Sequence, residues 1–136
     1  MNVRLNNCYV NKEKTMRILP ALLLLLPFSV NAETINYSCN YTSYSNIEGN
    51  HKVTEKFELN FIIDRATGKS YLLGNAGSSE VKALEAKDRV AFLEITATGN
   101  IMSTAIDSKL NSVHSRNTVM YGELLASQYY GKCIVK

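Results

Sequence analysis

The chain has no tryptophan, only two histidines, three cysteines and two prolines in 136 residues. The histidines, His51 and His114, stand alone, and Cys8, Cys39 and Cys133 are widely spaced, so the close ligand sets that hold zinc are excluded. No Gly-x-Ser-x-Gly element occurs, which removes the nucleophile elbow of the α/β-hydrolases. Internal repeats, low-complexity tracts and linkers are also missing, and no long stretch after residue 32 follows a helical period. What remains is one domain built from short elements.

The first element present is a leader. From Met16 to Ala32 the chain runs from a basic start at Arg17 through an apolar segment, Ile18 to Phe28, to small residues at Val30 and Ala32. That order predicts a secretory signal peptide over residues 1–32, cleaved after Ala32, with Met16 as an alternative start. The apolar run is shorter than the roughly 20 residues that span a bilayer, and Pro20 and Pro27 bracket it. The expected location is therefore the periplasm or the exterior.

Removing the leader changes the electrostatic description. It carries four of the fifteen basic residues and one of the twelve acids, so residues 33–136 hold eleven of each and are neutral. A neutral chain without a Lys/Arg cluster gives no footprint for nucleic acid or an anionic membrane surface. Cys8 also departs, which leaves Cys39 and Cys133 as an even pair in a disulfide-permissive compartment. Those two are expected to be bonded.

Strand signals fill the rest. Ile35, Tyr37, Cys39 and Tyr41 alternate with Thr34, Asn36, Ser38, Asn40 and Thr42, so the cysteine lies on the apolar, inward face. Ser43 to Asn50 reads as a loop anchored by Tyr44. Val53, Phe57, Leu59, Phe61 and Ile63 mark a second strand, and Asp64 to Gly68 a turn into a third, Lys69 to Gly74. The turn Gly74-Asn75-Ala76-Gly77-Ser78 looks superficially like a phosphate cradle but lacks the lysine and the helix such a loop needs. Glu80 to Ala86 and Arg89 to Thr96 form the next pair, with helix an alternative over Ser79 to Lys87; the second member is apolar on both faces and is expected to be central.

After Thr98-Gly99-Asn100 come strands over Ile101 to Ile106 and Val113 to Tyr121. Gly122 breaks the pattern, Glu123 to Ser127 reads as a helical turn or loop, and Tyr129 to Val135 is the last strand. Seven or eight short strands predict an all-β domain over residues 33–136, a small antiparallel barrel in preference to a β-sandwich. A Cys39–Cys133 bond would then join the first and last strands and close the two vulnerable edges.

Candidate chemistry is sparse. His114 has Ser115, Ser127 and Asp107 as possible triad partners, but serine is abundant here and such a set arises by chance, so no catalytic site is expected. His114 and Arg116 share one strand face and could meet an anion, although a solvent-facing strand edge is the commoner arrangement. Asn36 and Asn40 begin glycosylation sequons on the outward face, which matter only in a eukaryotic pathway. Tyr37 and Tyr41 are assigned to the core; Tyr129 and Tyr130 must point opposite ways, one inward beside Cys133. Gln128 and Tyr130 make up the outward half of that segment and are candidate contact residues. No cofactor motif is present.

Two resemblances add to this. Ile35-x-Tyr37-x-Cys39, the turn Thr96-Ala97-Thr98-Gly99-Asn100 and the late cysteine resemble the periplasmic inhibitors of c-type lysozyme, small exported eight-stranded barrels. That resemblance implies an inhibitory turn at Thr96, Thr98 and Gly99 and a lysozyme as partner. The tail from His114-Ser115-Arg116-Asn117-Thr118-Val119 through Ser127-Gln128-Tyr129-Tyr130-Gly131-x-Cys133 is similar to a set of small exported proteobacterial proteins without assigned function. The resulting expectation is a non-catalytic binding module; the alternatives are a small-ligand carrier and a hydrolase using Ser127 and His114.

Overall fold

The computed structural model describes residues 33–136, and the signal peptide expected over residues 1–32 lies outside them. Eight antiparallel strands follow in order: β1 (Thr34–Asn46), β2 (Gly49–Asp64), β3 (Lys69–Gly74), β4 (Gly77–Ala86), β5 (Arg89–Ile95), β6 (Ile101–Asp107), β7 (Asn111–Met120) and β8 (Glu123–Val135). Each pairs with the next, and β8 returns to β1, so the sheet is a closed barrel and not a sandwich. Closure leaves the sheet without a first or last strand, which answers the edge problem of an open sheet.

Alternation decides what the barrel encloses. Cys39, Tyr41, Leu59, Phe61, Ile63, Leu72, Val81, Val90, Phe92, Ile106 and Cys133 are buried together, and Ile35, Tyr37, Phe57 and Tyr129 pack against them. Phe61 and Phe92 reach each other across the interior with ring centroids 4.3 Å apart. Cys39 and Cys133 are direct cross-strand partners joined by a disulfide, so the staple sits on the β1–β8 seam that closes the barrel.

The structure corrects three expectations and excludes one alternative. The segment Ser43 to Asn50 is mostly strand: Tyr44 pairs with His51 and only Ile47 and Glu48 form the turn. Ser79 to Lys87 is not helical, because Val81 and Ala83 both point inward and β4 is paired on both sides, which outweighs local helix preference. β5 is neither central nor buried on both faces: Val90 and Phe92 are enclosed, whereas Ile95 is 68% exposed. Glu123 to Ser127 is the start of β8, not a loop. Tyr121 and Gly122 both take positive φ (53° and 83°), the two-residue turn whose twist suits a hairpin, so pairing resumes at once between Met120 and Glu123.

Strand lengths are uneven, and this positions the site. β1, β2 and β8 run 13, 16 and 13 residues, while β3, β5 and β6 have 6, 7 and 7. At one end the β1–β2 and β7–β8 hairpins continue past the short β3–β6 wall. The interior opens there, beside the turns at residues 75–76 and 96–100.

Candidate functional site

Toward that open end the inward positions change character. Along β5 they read Val90, Phe92, then Glu94; along β6, from the floor upward, Ile106, Thr104, Met102; along β7, Ser112, His114, Arg116. The lower half is thus an apolar core and the upper half a polar mouth. A cavity of about 430 Å³ opens there, with Phe57, Leu59, Leu72 and Met102 as its apolar wall and Ser79, Glu94, Thr96, His114 and Arg116 as polar groups.

A chain of hydrogen bonds fixes the polar side. Arg116 Nε donates to His114 Nε2 at 3.4 Å, and His114 Nδ1 lies 2.8 Å from Thr104 Oγ1. A guanidinium can only donate, so Nε2 is the acceptor, and the ring proton on Nδ1 is given to Thr104. Beneath them the Tyr41 hydroxyl shares a 2.9 Å bond with Ser112 Oγ, and burial pushes its pKa up to about 12 against the opposing pull of Ser112 and Thr104. The guanidinium carbon of Arg116 lies 4.9 Å from the Phe57 ring centroid and 5.0 Å from that of Tyr129, within cation–π range of both. Tyr44 stacks on Tyr129 at 5.2 Å and on His51 at 4.9 Å, extending the aromatic support.

His114 is 2% exposed, not on a solvent-facing edge, which corrects the commoner reading of its strand. Burial, and then the positive charge of Arg116, depress its pKa from 6.5 to about 4. The unfolded chain therefore binds the extra proton first as pH falls, and the fold loses stability between about pH 6.5 and pH 4. The loss is on the order of 3 kcal/mol. Urea unfolding at about pH 7 and about pH 4 should show it, and His114→Gln should flatten the slope in that window; a slope unchanged by the substitution would assign the effect to other groups.

The candidates chosen from sequence separate into three places. His114 and Arg116 are inside the mouth. Thr96, Thr98 and Gly99 are on its rim, in a turn held by Asn100 N to Thr96 Oγ1 (3.0 Å), Thr96 Oγ1 to Thr98 Oγ1 (2.9 Å) and Val119 N to Asn100 Oδ1 (3.0 Å). Gln128 and Tyr130 lie outside the barrel, bonded to each other at 3.0 Å. The triad partners are not assembled: Ser115 is on the outward face, Asp107 is spent on the β6–β7 turn, bonding Lys109 N and Asn111, and the ring nitrogens of His114 are directed at Thr104 and Arg116 rather than at Ser127.

No protein-family model, curated protein or solved structure matches the chain.

Sequence reading missed Glu94, Thr104, Phe57 and Tyr129 as members of the site. For Glu94 a signal existed, since it takes the inward slot immediately after Val90 and Phe92, where an acid is out of place unless the interior there is wet or occupied. Tyr44 was read as the anchor of a loop. A register shift between Tyr41 and Ser43 in both pairings turns Tyr44 to the inner face, and a single-strand pattern does not reveal that.

Proposed function

We propose that the protein is an exported, non-catalytic binding module that holds a small ligand in the barrel mouth. One observation carries this reading: among the described residues Arg116 takes part in no ion pair, yet its guanidinium is half-buried on the wall of the cavity, with Nε held by His114 and its plane backed by two aromatic rings. A fixed cation facing an apolar-walled cavity is a small-molecule site in physical terms, a few oriented polar groups in a hydrophobic concavity. The buried disulfide suits an oxidising compartment, as the leader also suggests.

Native mass spectrometry of the purified protein should show a co-purifying mass that disappears in Met102→Trp, which fills the mouth from β6. A bare mass for the unaltered protein overturns the carrier reading.

The rim turn supports a second reading, docking of Thr96, Thr98 and Gly99 into the cleft of a cell-wall hydrolase such as a lysozyme. What favours it is preorganisation: the turn is exposed but internally hydrogen-bonded and tied to β7, so little freedom is lost on docking. Lysozyme lysis should fall in a molar excess of the protein; unchanged lysis removes this reading.

A further inference from the structure

The mouth holds a second charge that the first does not neutralise. Glu94, Met102 and Arg116 form one cross-strand row over β5, β6 and β7, all pointing inward, so the two charged residues stand two strands apart, roughly 10 Å between backbones. Both line the same cavity, and among the described residues neither is in an ion pair. Each is tethered by a different neighbour. Ser79 Oγ donates to Glu94 Oε1 at 2.7 Å from β4, while His114 and the Phe57 and Tyr129 rings hold Arg116 on the opposite flank. Opposite charges in a half-buried site ordinarily gain by meeting, and here the side chains that hold them keep them apart beside an apolar wall that includes Leu59, Leu72 and Met102.

We infer that the ligand of this mouth is a zwitterion with an apolar body, of the class of an apolar amino acid or short peptide. Its carboxylate lies on the Nη groups of Arg116, where the planar fork donates two parallel hydrogen bonds to it. Its ammonium lies on the Glu94 oxygen that Ser79 does not occupy, and its side chains cover the apolar wall. The charges that flank the site beyond Arg116 are Glu55 and Lys56, which line the adjoining cavity of about 250 Å³. Lys56 is paired with Glu58 at 2.7 Å, which among the described residues leaves Glu55 as the unpaired charge of that adjoining cavity, separated from the Glu94 flank by Arg116. This inference rests on the mouth being the binding site and adds what the mouth selects.

The test uses calorimetric titration of the purified protein with phenylalanyl-leucine, its N-acetyl form and its C-terminal amide, beside the neutral fluorescent probe N-phenyl-1-naphthylamine. The free dipeptide should bind about tenfold or more tighter than either blocked form. Glu94→Gln should erase the preference for the free amine and keep that for the free carboxylate, and Arg116→Gln should do the reverse. Equal binding of all three peptides, or binding of the neutral probe with no peptide bound, overturns the zwitterion and leaves the mouth as a site. Failure of every probe overturns both. The blocked peptides test the idea on the unaltered protein, so the outcome does not depend on either variant folding.

Discussion

Replacing Cys39 and Cys133 together by alanine is expected to lower the melting temperature by on the order of 20 °C. The bond spans 94 residues of sequence, nearly the whole described domain, so in the chain-entropy account it removes about 4 to 5 kcal/mol of freedom from the unfolded chain. It also lies on the seam where β8 meets β1, the one pairing between strands far apart in sequence. Every other strand pair in the barrel is a hairpin between chain neighbours and can form locally. Thermal melts by circular dichroism of the oxidised protein and the double variant measure the effect, and coincident melts would show that the seam hydrogen bonds suffice. The two residues are 0% and 4% exposed, so a reductant added to the native protein should act only as fast as the seam opens.

Gly131→Ala is expected to cost about 3 kcal/mol or more, at the upper end for overpacking. Gly131 stands directly opposite Tyr41 on β1 and Ser112 on β7, in one row across three strands. The Tyr41 hydroxyl reaches Ser112 Oγ two strands away, so its ring passes over the position that lacks a side chain. An added Cβ would also collide with the Asn40 carbonyl oxygen and sit 2.8 Å from the Asn40 carbonyl carbon and 2.9 Å from Tyr41 Cα. These are backbone atoms on the closing seam, with no flexible end to move aside. Lys132→Ala, at the exposed neighbour, should change stability by less than about 0.5 kcal/mol and serves as the control in urea unfolding. If Gly131→Ala were equally silent, the close approach would not constrain the seam.

Both expectations concern the seam, and they differ in how far the sequence announced them. The disulfide was legible: Cys39 and Cys133 are the two cysteines of residues 33–136, and alternation around Cys39 puts its sulfur inward. The need for glycine at residue 131 was not, because a glycine inside a strand signals a close approach without saying to what. The same division runs through the mouth. His114 and Arg116 were placed on one face by their spacing, but that face was read as solvent-facing, since Ser112, His114 and Arg116 alternate with Val113, Ser115 and Asn117 and neither set is clearly apolar. The pairings with β6 and β8 put Thr104 and Tyr129 opposite His114 and so turn it into the barrel.

Period-two alternation and turn residues are local properties, carried by a few consecutive side chains, and they were enough for the all-β class and the strand inventory. Register is not local. It depends on where each hairpin turns and where a strand slips by a residue, as β1 does between Tyr41 and Ser43, and a slip of one residue reverses every later side chain. Register alone set Glu94, Met102 and Arg116 in one row, carried Tyr44 to the inner face beside Tyr129, and left an acid and a base facing one cavity without touching. The contents of the mouth were therefore decided when the barrel closed.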